Sequence, residues 1–378
     1  MRKEQPVYGE RIKEAREICG FPQTALAGLV GVKRQAISAY EKDKIKPSSE
    51  TLFAIASVTG FPIPFFLNER PRGDSVRTAP ISFRKFKVAT KAAGLQAAQY
   101  ESLFADIYYY LAHYINFHPA KIPLNLDIDY RSLTMSTIED IASSVRRDWG
   151  LGNGPIPDMM RLLENKGIII ADIELPNTLD AVSTWRHDRP FILLSDSTSC
   201  RHRFNLGHEL GHLVLHQMVP KEAFEDQDSL NKLEKQAHRF AGAFLFPAAS
   251  VRSEYFSNSM AALKNLKSRW KISIQAISMR LFDLGLINKH QVKYILINLG
   301  SRKNEVLDDT IQREKPSLIR RAFEMLLDDR ILSLRNVLDD LMISDRIFSM
   351  LTGLETKTQE NVEDKIIPFD IRRFRSES

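Results

Sequence analysis

Residues 204–216 read FNLGHELGHLVLH. On an α-helix, His208 and His212 lie one turn apart and about 40 degrees out of phase, so both imidazoles can converge on one ion. Neutral imidazole nitrogens are ordinary donors to zinc, and a catalytic zinc site leaves one position for water. Glu209 follows His208 directly and flanks that position without ligating. It can take a proton from the water and hand it to a leaving amine. The H-E-x-x-H spacing serves that division of labour. With nine histidines in 378 residues, chance would supply such a match roughly 0.01 times, which disfavours an inert pair.

Two histidines do not hold a catalytic zinc, so a third protein ligand is required. Position 218 is Met218, which rules out a histidine six residues past His212. His216 lies two turns beyond His208, about 12 Å along the axis, too far to share the ion. It is read as a residue that packs beside the ligands or supports one. The candidate third ligand is Glu234 in LEKQAHRFAG (233–242), where Ala237, Ala241 and Gly242 permit close packing against the first helix. Glu222, Glu225, Asp226 and Asp228 are rivals in a polar stretch that reads as loop. His238, four residues past Glu234, either supports that ligand or faces solvent.

The first seventy residues point to a different chemistry. QTALAGLVGV (23–32) reads as a short helix and turn, with Ala27 small enough for a close crossing and Gly31 free to take positive φ. KRQAISAYE (33–41) follows as a second helix. Ile37 lies on its inner face, and Lys33, Arg34, Gln35 and Ser38 point outward. In a helix-turn-helix the second helix enters the major groove, where Arg and Gln can pair with guanine and adenine edges. Gln23 and Thr24, heading the supporting helix, complete the candidate contacts to double-stranded DNA.

Composition sets the frame. The net charge is +6 and the pI about 9.1, which suits an acidic partner without requiring one. Cys19 and Cys200 are the only cysteines, too few for a disulfide framework or a cysteine-based zinc site. The amino terminus lacks an apolar signal core, and no run of about 18 apolar residues suggests a membrane span. A cytoplasmic protein with no membrane partner is expected.

Residues 70–80 are Pro- and Arg-rich and read as a linker, and the basic run Arg84-Lys85-Phe86-Lys87 follows. That run is either a solvated face or a phosphate contact. A long aromatic helix covers 95–117 and another helix 137–149. The β-branched runs GIIIADIEL (167–175) and RPFILLSD (189–196) read as strands of a small antiparallel sheet. The strand at 190–195 either offers an exposed edge to an extended peptide or is a plain core strand. Past residue 301, two helical patterns (316–329 and 331–342) could dimerise, cover the site or pack in the core.

QTALAGLVGV, RQAISAYE and Pro47-Ser48 resemble the phage-repressor-like XRE family, which implies a five-helix domain that binds operators as a homodimer. RFNLGHELGHLVLH (203–216), Glu234-x-x-Ala237-x-x-Phe240-Ala241-x-x-Phe244-Leu245-x-Pro247, the upstream Trp185 with RPFILLS, and the downstream Trp270 to Gly285 are similar to the ImmA/IrrE family of zinc metallopeptidases. That resemblance implies a zincin-like domain holding Zn2+ with a glutamate as third ligand. It also implies regulatory cleavage of a repressor or similar protein in response to stress or a mobile element. His238 departs from the pattern, where Asn or Asp is commoner, and so does Gly207, where Ala is commoner.

The expected architecture is α+β. An all-α head (1–69) and linker (70–80) precede a mainly helical peptidase domain with a small sheet (81–300) and a helical extension (301–378). Two further readings stand beside regulatory proteolysis: a DNA-binding regulator or antitoxin whose zinc is structural or ligand-sensing, and a plain interaction scaffold.

Overall fold

Capping residues and glycines cut the amino-terminal quarter into α1 (Gly9–Ile18), α2 (Gln23–Leu29), α3 (Arg34–Glu41), α4 (Ser49–Thr59) and α5 (Ile63–Leu67). This computed structural model describes residues 6–69, 82–83, 91–123, 129–175, 179–300 and 305–355. Gly31 takes φ +71° between α2 and α3, a backbone state that costs residues with a side chain roughly 1–2 kcal/mol. The Ser48 hydroxyl accepts the Thr51 N–H to start α4, and Gly60 closes it in the left-handed region. Ile12, Leu26, Ile37, Ile55 and Phe66 are buried between these helices. The linker 70–80, the run 84–87 and the terminal IRRFRSES lie outside the described residues.

The long aromatic helix α6 (Lys91–Ala112) joins the head to the rest. On one side Gln96 donates to the Ile18 carbonyl (2.7 Å) and Gln99 to the Glu17 carboxylate (2.9 Å) on α1. On the other, Phe104 and Tyr108 pack edge-on against Phe191 of a four-stranded sheet. Its strands are β1 (Ser82–Phe83), β2 (Ile169–Asp172), β3 (Ala181–Arg186) and β4 (Arg189–Leu194), in the order β1-β3-β4-β2. The β1/β3 and β3/β4 pairs are antiparallel, as the sequence suggests, whereas β2 and β4 are parallel.

Alternation along these strands divides the molecule into two cores. Ile169, Val182, Phe191 and Leu193 face α6, the head and the carboxy-terminal helices. Ile170, Ala181, Trp185 and Ile192 face the opposite core, with Leu206, Leu210, Phe240 and Phe244. Burial on both faces explains why β4 reads as a nearly unbroken apolar run. It also corrects one expectation: the strand at 190–195 lies between β3 and β2, so it has no free edge to offer a peptide.

Around the second core lie α7 (Met135–Asp148), α8 (Met159–Asn165), α9 (Ser199–Leu215), α10 (Lys221–Glu225), α11 (Gln227–Leu245), α12 (Ala248–Glu254), α13 (Met260–Trp270), α14 (Ile274–Asp283) and α15 (Lys289–Leu299). The polar stretch read as loop is the short α10, and Asp226 caps α11 by accepting from the Ser229 N–H. The extension forms α16 (Leu318–Asp328), α17 (Leu334–Leu341) and a further helix, α18 (Asp345–Thr352). Ile319, Phe323, Leu326 and Phe348 bury these helices in the first core, against α6 and β2. Of the three roles open to them, they take core packing. Among the described residues, no helix is long and apolar enough to cross a membrane.

Helices α9 and α11 approach closely because α9 carries glycines where they meet. A Cβ on Gly211 would lie 3.1 Å from both the Cα and the carbonyl oxygen of Ala237, backbone atoms that cannot yield without moving α11. A Cβ on Gly207 would meet only side-chain atoms, 3.2 Å from Leu245 Cδ1 and 3.4 Å from Ala241 Cβ. Gly211→Ala is therefore expected to cost about 1–3 kcal/mol. Gly207→Ala should be close to neutral, because Ala returns up to about 1 kcal/mol of helix propensity. Calorimetric Tm values of the two variants test this, and equal shifts would refute the close-approach account.

Candidate metal centre and nucleic-acid interface

The crossing of α9 and α11 brings three donors together. His208 Nε2 and His212 Nε2 lie 3.0 Å apart, and Glu234 from α11 places Oε2 and Oε1 3.4 Å from the two nitrogens respectively. Among the described residues, this is the one group of three or more His, Cys, Asp or Glu side chains suited to a metal ion. Donors about 3.3 Å apart are what bonds of about 2 Å at tetrahedral angles produce. Two neutral imidazoles and one carboxylate also form a donor set that zinc accepts. The residues fit a resident divalent cation. Glu222, Asp226 and Asp228 are not part of the group, and the side chain of Glu225 lies outside the described residues.

The surroundings prepare these donors. Burial pushes His208 well below the ordinary imidazole value, with neighbouring His238 and His212 adding to the effect. Burial alone would raise the pKa of Glu234, but the facing rings of His208 and His212 outweigh it and hold the carboxyl far below its usual range. A polar chain then runs outward from His212. Its Nδ1 lies 2.9 Å from His216 Nδ1, and His216 Nε2 lies 2.9 Å from Gln236 Oε1. The Gln236 amide in turn donates to the Tyr130 carbonyl at 2.6 Å. Because Gln236 Oε1 accepts only, His216 carries its proton on Nε2 and accepts at Nδ1, so His212 donates from Nδ1 and leaves Nε2 bare for an ion. His216 is thus outside the three-donor group yet fixes the tautomer of one of its members. The Nδ1 of His238 meets the Glu234 backbone carbonyl, and its ring stands edge-on to His208.

Glu209 is fully buried beside the group, and the Ser183 hydroxyl donates to its Oε2 at 2.6 Å. Sequence reasoning missed Ser183, whose only signal is a small polar residue within a strand. It missed Gln236 and Tyr130 as well, because no local signal links two residues 106 apart in the chain. A cleft of about 1100 Å³, bordered by Phe204, Lys235 and Met279 among others, reaches Glu234 and His238.

In the head, Lys33, Arg34, Gln35 and Thr24 are exposed, Ser38 is half-buried, and Ile37 and Tyr40 anchor α3 from beneath. The Gln23 amide donates to Glu41 at 2.7 Å, and Arg16 donates to the same carboxylate. Gln23 therefore braces the crossing of α2 and α3.

Residues 12–66 match the family model of the helix-turn-helix (HTH_3), and residues 164–282 match that of the IrrE N-terminal-like domain (Peptidase_M78). The chain thus carries an XRE-type helix-turn-helix domain and an IrrE-like peptidase domain. The head is similar to YonR, an SPbeta prophage-derived HTH-type transcriptional regulator of Bacillus subtilis (strain 168), at 33% identity over 61 residues. That match covers 16% of this chain and 56% of YonR. It is also similar to a transcriptional regulator in the ATPase CF(0) region of Rhodospirillum rubrum, at 33% identity over 66 residues, 18% of this chain and 61% of that protein. The chain therefore spans between half and two thirds of the length of these relatives. The crystal structure of Bacillus thuringiensis PlcR in complex with the peptide PapR7 and DNA aligns over 76% of this chain and 90% of its own, at 13% identity. Its TM-score of 0.16 carries no argument about the fold.

Burial pushes His216 from its ordinary value of 6.5 down to about 3, with His212 contributing in the same direction. Between those values the folded state binds fewer protons than the unfolded one. Stability is therefore complete above pH 6.5 and declines as the pH falls toward 3, by up to about 1.4 kcal/mol per pH unit for one proton. Thermal melts of the metal-free protein are expected to show Tm falling through this window. His216→Gln should flatten the slope, and an unchanged slope would refute the assignment.

Proposed function

We propose that this protein is a DNA-binding transcriptional regulator whose second domain is a zinc-dependent endopeptidase, with a repressor or another regulatory protein as substrate. The convergence of His208, His212 and Glu234 beside Glu209 carries the reading. The ion, when bound, supplies a Lewis acid that polarises a peptide carbonyl and acidifies water. Glu209 accepts the proton of the attacking water and returns it to the departing amine. Ser183 holds the Glu209 carboxylate in one orientation through its hydroxyl. His216 and Gln236 fix the ring of His212.

In the head, α3 enters the major groove of operator DNA. Arg34 and Gln35 reach base edges, while Lys33, Ser38 and Thr24 reach bases or phosphates. Two copies of the chain bind as a homodimer on paired half-sites. A second reading, a metal site that is structural or senses a ligand without proteolysis, draws support from the complete burial of Glu209.

Metal analysis should find about one zinc per wild-type chain and almost none in His208→Ala. Wild type incubated with regulators encoded nearby should cleave one of them. Glu209→Gln should retain zinc and operator binding but lose about 10²–10⁴-fold in cleavage rate. Arg34→Ala should weaken operator binding by about 1–3 kcal/mol with proteolysis intact. Zinc bound without cleavage of any partner would favour the second reading.

A further inference from the structure

The two helices that cross at the candidate metal centre each carry a pair of donors four residues apart. Helix α9 has His208 and His212, and α11 has Glu234 and His238. Residues at that spacing stand on one helix face, a turn from each other. The helices run in opposite directions, since Gly211 meets Ala237 while Gly207 meets Ala241 and Leu245. One turn past Glu234, the chain therefore returns toward the level of His208. His238 stands there with its ring centroid 4.5 Å from that of His208 and 77° between the ring planes. The donor pair His208 and His212 shows almost the same relation, 4.7 Å and 78°.

The hydrogen bond of His238 gives that placement a chemical meaning. Its Nδ1 lies 2.8 Å from the Glu234 backbone carbonyl. A carbonyl only accepts, so Nδ1 carries the proton and the neutral ring has its lone pair on Nε2. Histidines that hold a metal almost always donate their other N–H in this way, to a carbonyl, a carboxylate or water. His238 thus has the tautomer of a ligand. His212 reaches the same tautomer through His216.

Taking a zinc ion held by His208, His212 and Glu234 as given, we infer that His238 is a fourth ligand of the resting centre, closing through Nε2 the position that catalysis needs for water. The three-donor group does not include His238, so the ring swings about its side-chain bonds to reach the ion. Structural zinc sites are filled by four protein ligands and catalytic ones by three. A fourth ligand that can leave converts one kind into the other. The way out lies in the cleft of about 1100 Å³, which His238 lines as an exposed residue beside Phe204, whose ring is 5.7 Å away. A peptide that fills this cleft competes with the ring, so the centre opens where substrate binds. The complete burial of His208 and Glu209 agrees with a centre closed at rest.

The test uses the full-length protein loaded with zinc, with X-ray absorption at the zinc edge to count imidazoles. Three are expected in the wild type and two in His238→Asn, which should still take up one zinc per chain. Zinc affinity, from competition with a chromophoric chelator, should fall in that variant. The drop should be at least the about 10–100-fold that loss of a group supporting a ligand costs. Azide probes the open position in the cobalt-substituted protein, read by the visible absorption of cobalt. If the ring fills that position about nine-tenths of the time, its removal tightens azide binding about tenfold. Two imidazoles in the wild type, or equal azide affinity in both proteins, would overturn the inference. A wild type that binds no zinc, or zinc retained in His208→Ala, sinks the metal centre and the inference with it. Stoichiometric zinc that is lost in His208→Ala, with two imidazoles in the wild type, sinks only the role of His238.

Discussion

The approach of α9 to α11 is the constraint on which the candidate site depends. An imidazole pair on one helix can grip an ion only if a third donor arrives from elsewhere, and that donor must come within about 3–4 Å. A helix pair separated by ordinary side chains stands 8–10 Å apart, axis to axis. Gly211 removes the Cβ that would press on the Ala237 backbone, and Ala237 and Ala241 keep the facing surface small. One turn before Ala237, Glu234 then reaches both rings. The same crossing sets Gln236 against His216, so the groups that fix the tautomer of His212 come from the helix that supplies the third donor.

The sheet carries the consequences outward. Ser183 on one face of β3 orients Glu209, and three residues on, Arg186 on the other face forms a fully buried, two-pronged pair with Glu101 of α6 (2.6 and 2.8 Å). Breaking one partner of such a pair leaves a buried charge, which typically costs about 3–5 kcal/mol. Position along β3 is thereby tied to position along α6, and α6 is bonded in turn to α1 of the head. One strand thus has contact with the candidate catalytic glutamate, the helix that bears the DNA-binding domain, and the short strand between the two domains.

Local chemistry written in consecutive residues was legible in the sequence. The H-E-x-x-H pattern fixed which two side chains share a helix face, because 3.6 residues per turn leaves no other arrangement. Gly31 and Ser48 marked helix boundaries through backbone conformations and caps that depend on immediate neighbours. The amphipathic patterns of 316–329 and 331–342 announced helices, although what they cover could not be read, because an apolar stripe does not name its partner.

Tertiary structure decided what depends on residues far apart in the chain. It brought Glu234 rather than Asp228 or Glu222 to the histidines, a matter of helix phase across a crossing. It supplied Ser183 and Tyr130, whose roles arise from contacts across 26 residues to Glu209 and 106 to Gln236. It placed β4 in the interior and left the edge of β3 to β1, because strand order is set by which faces must be buried and not by the composition of any one strand. The sequence by itself determined the chemical kinds of residue that each helix presents. Only the packing of the two cores on opposite faces of one sheet determined which of those residues meet.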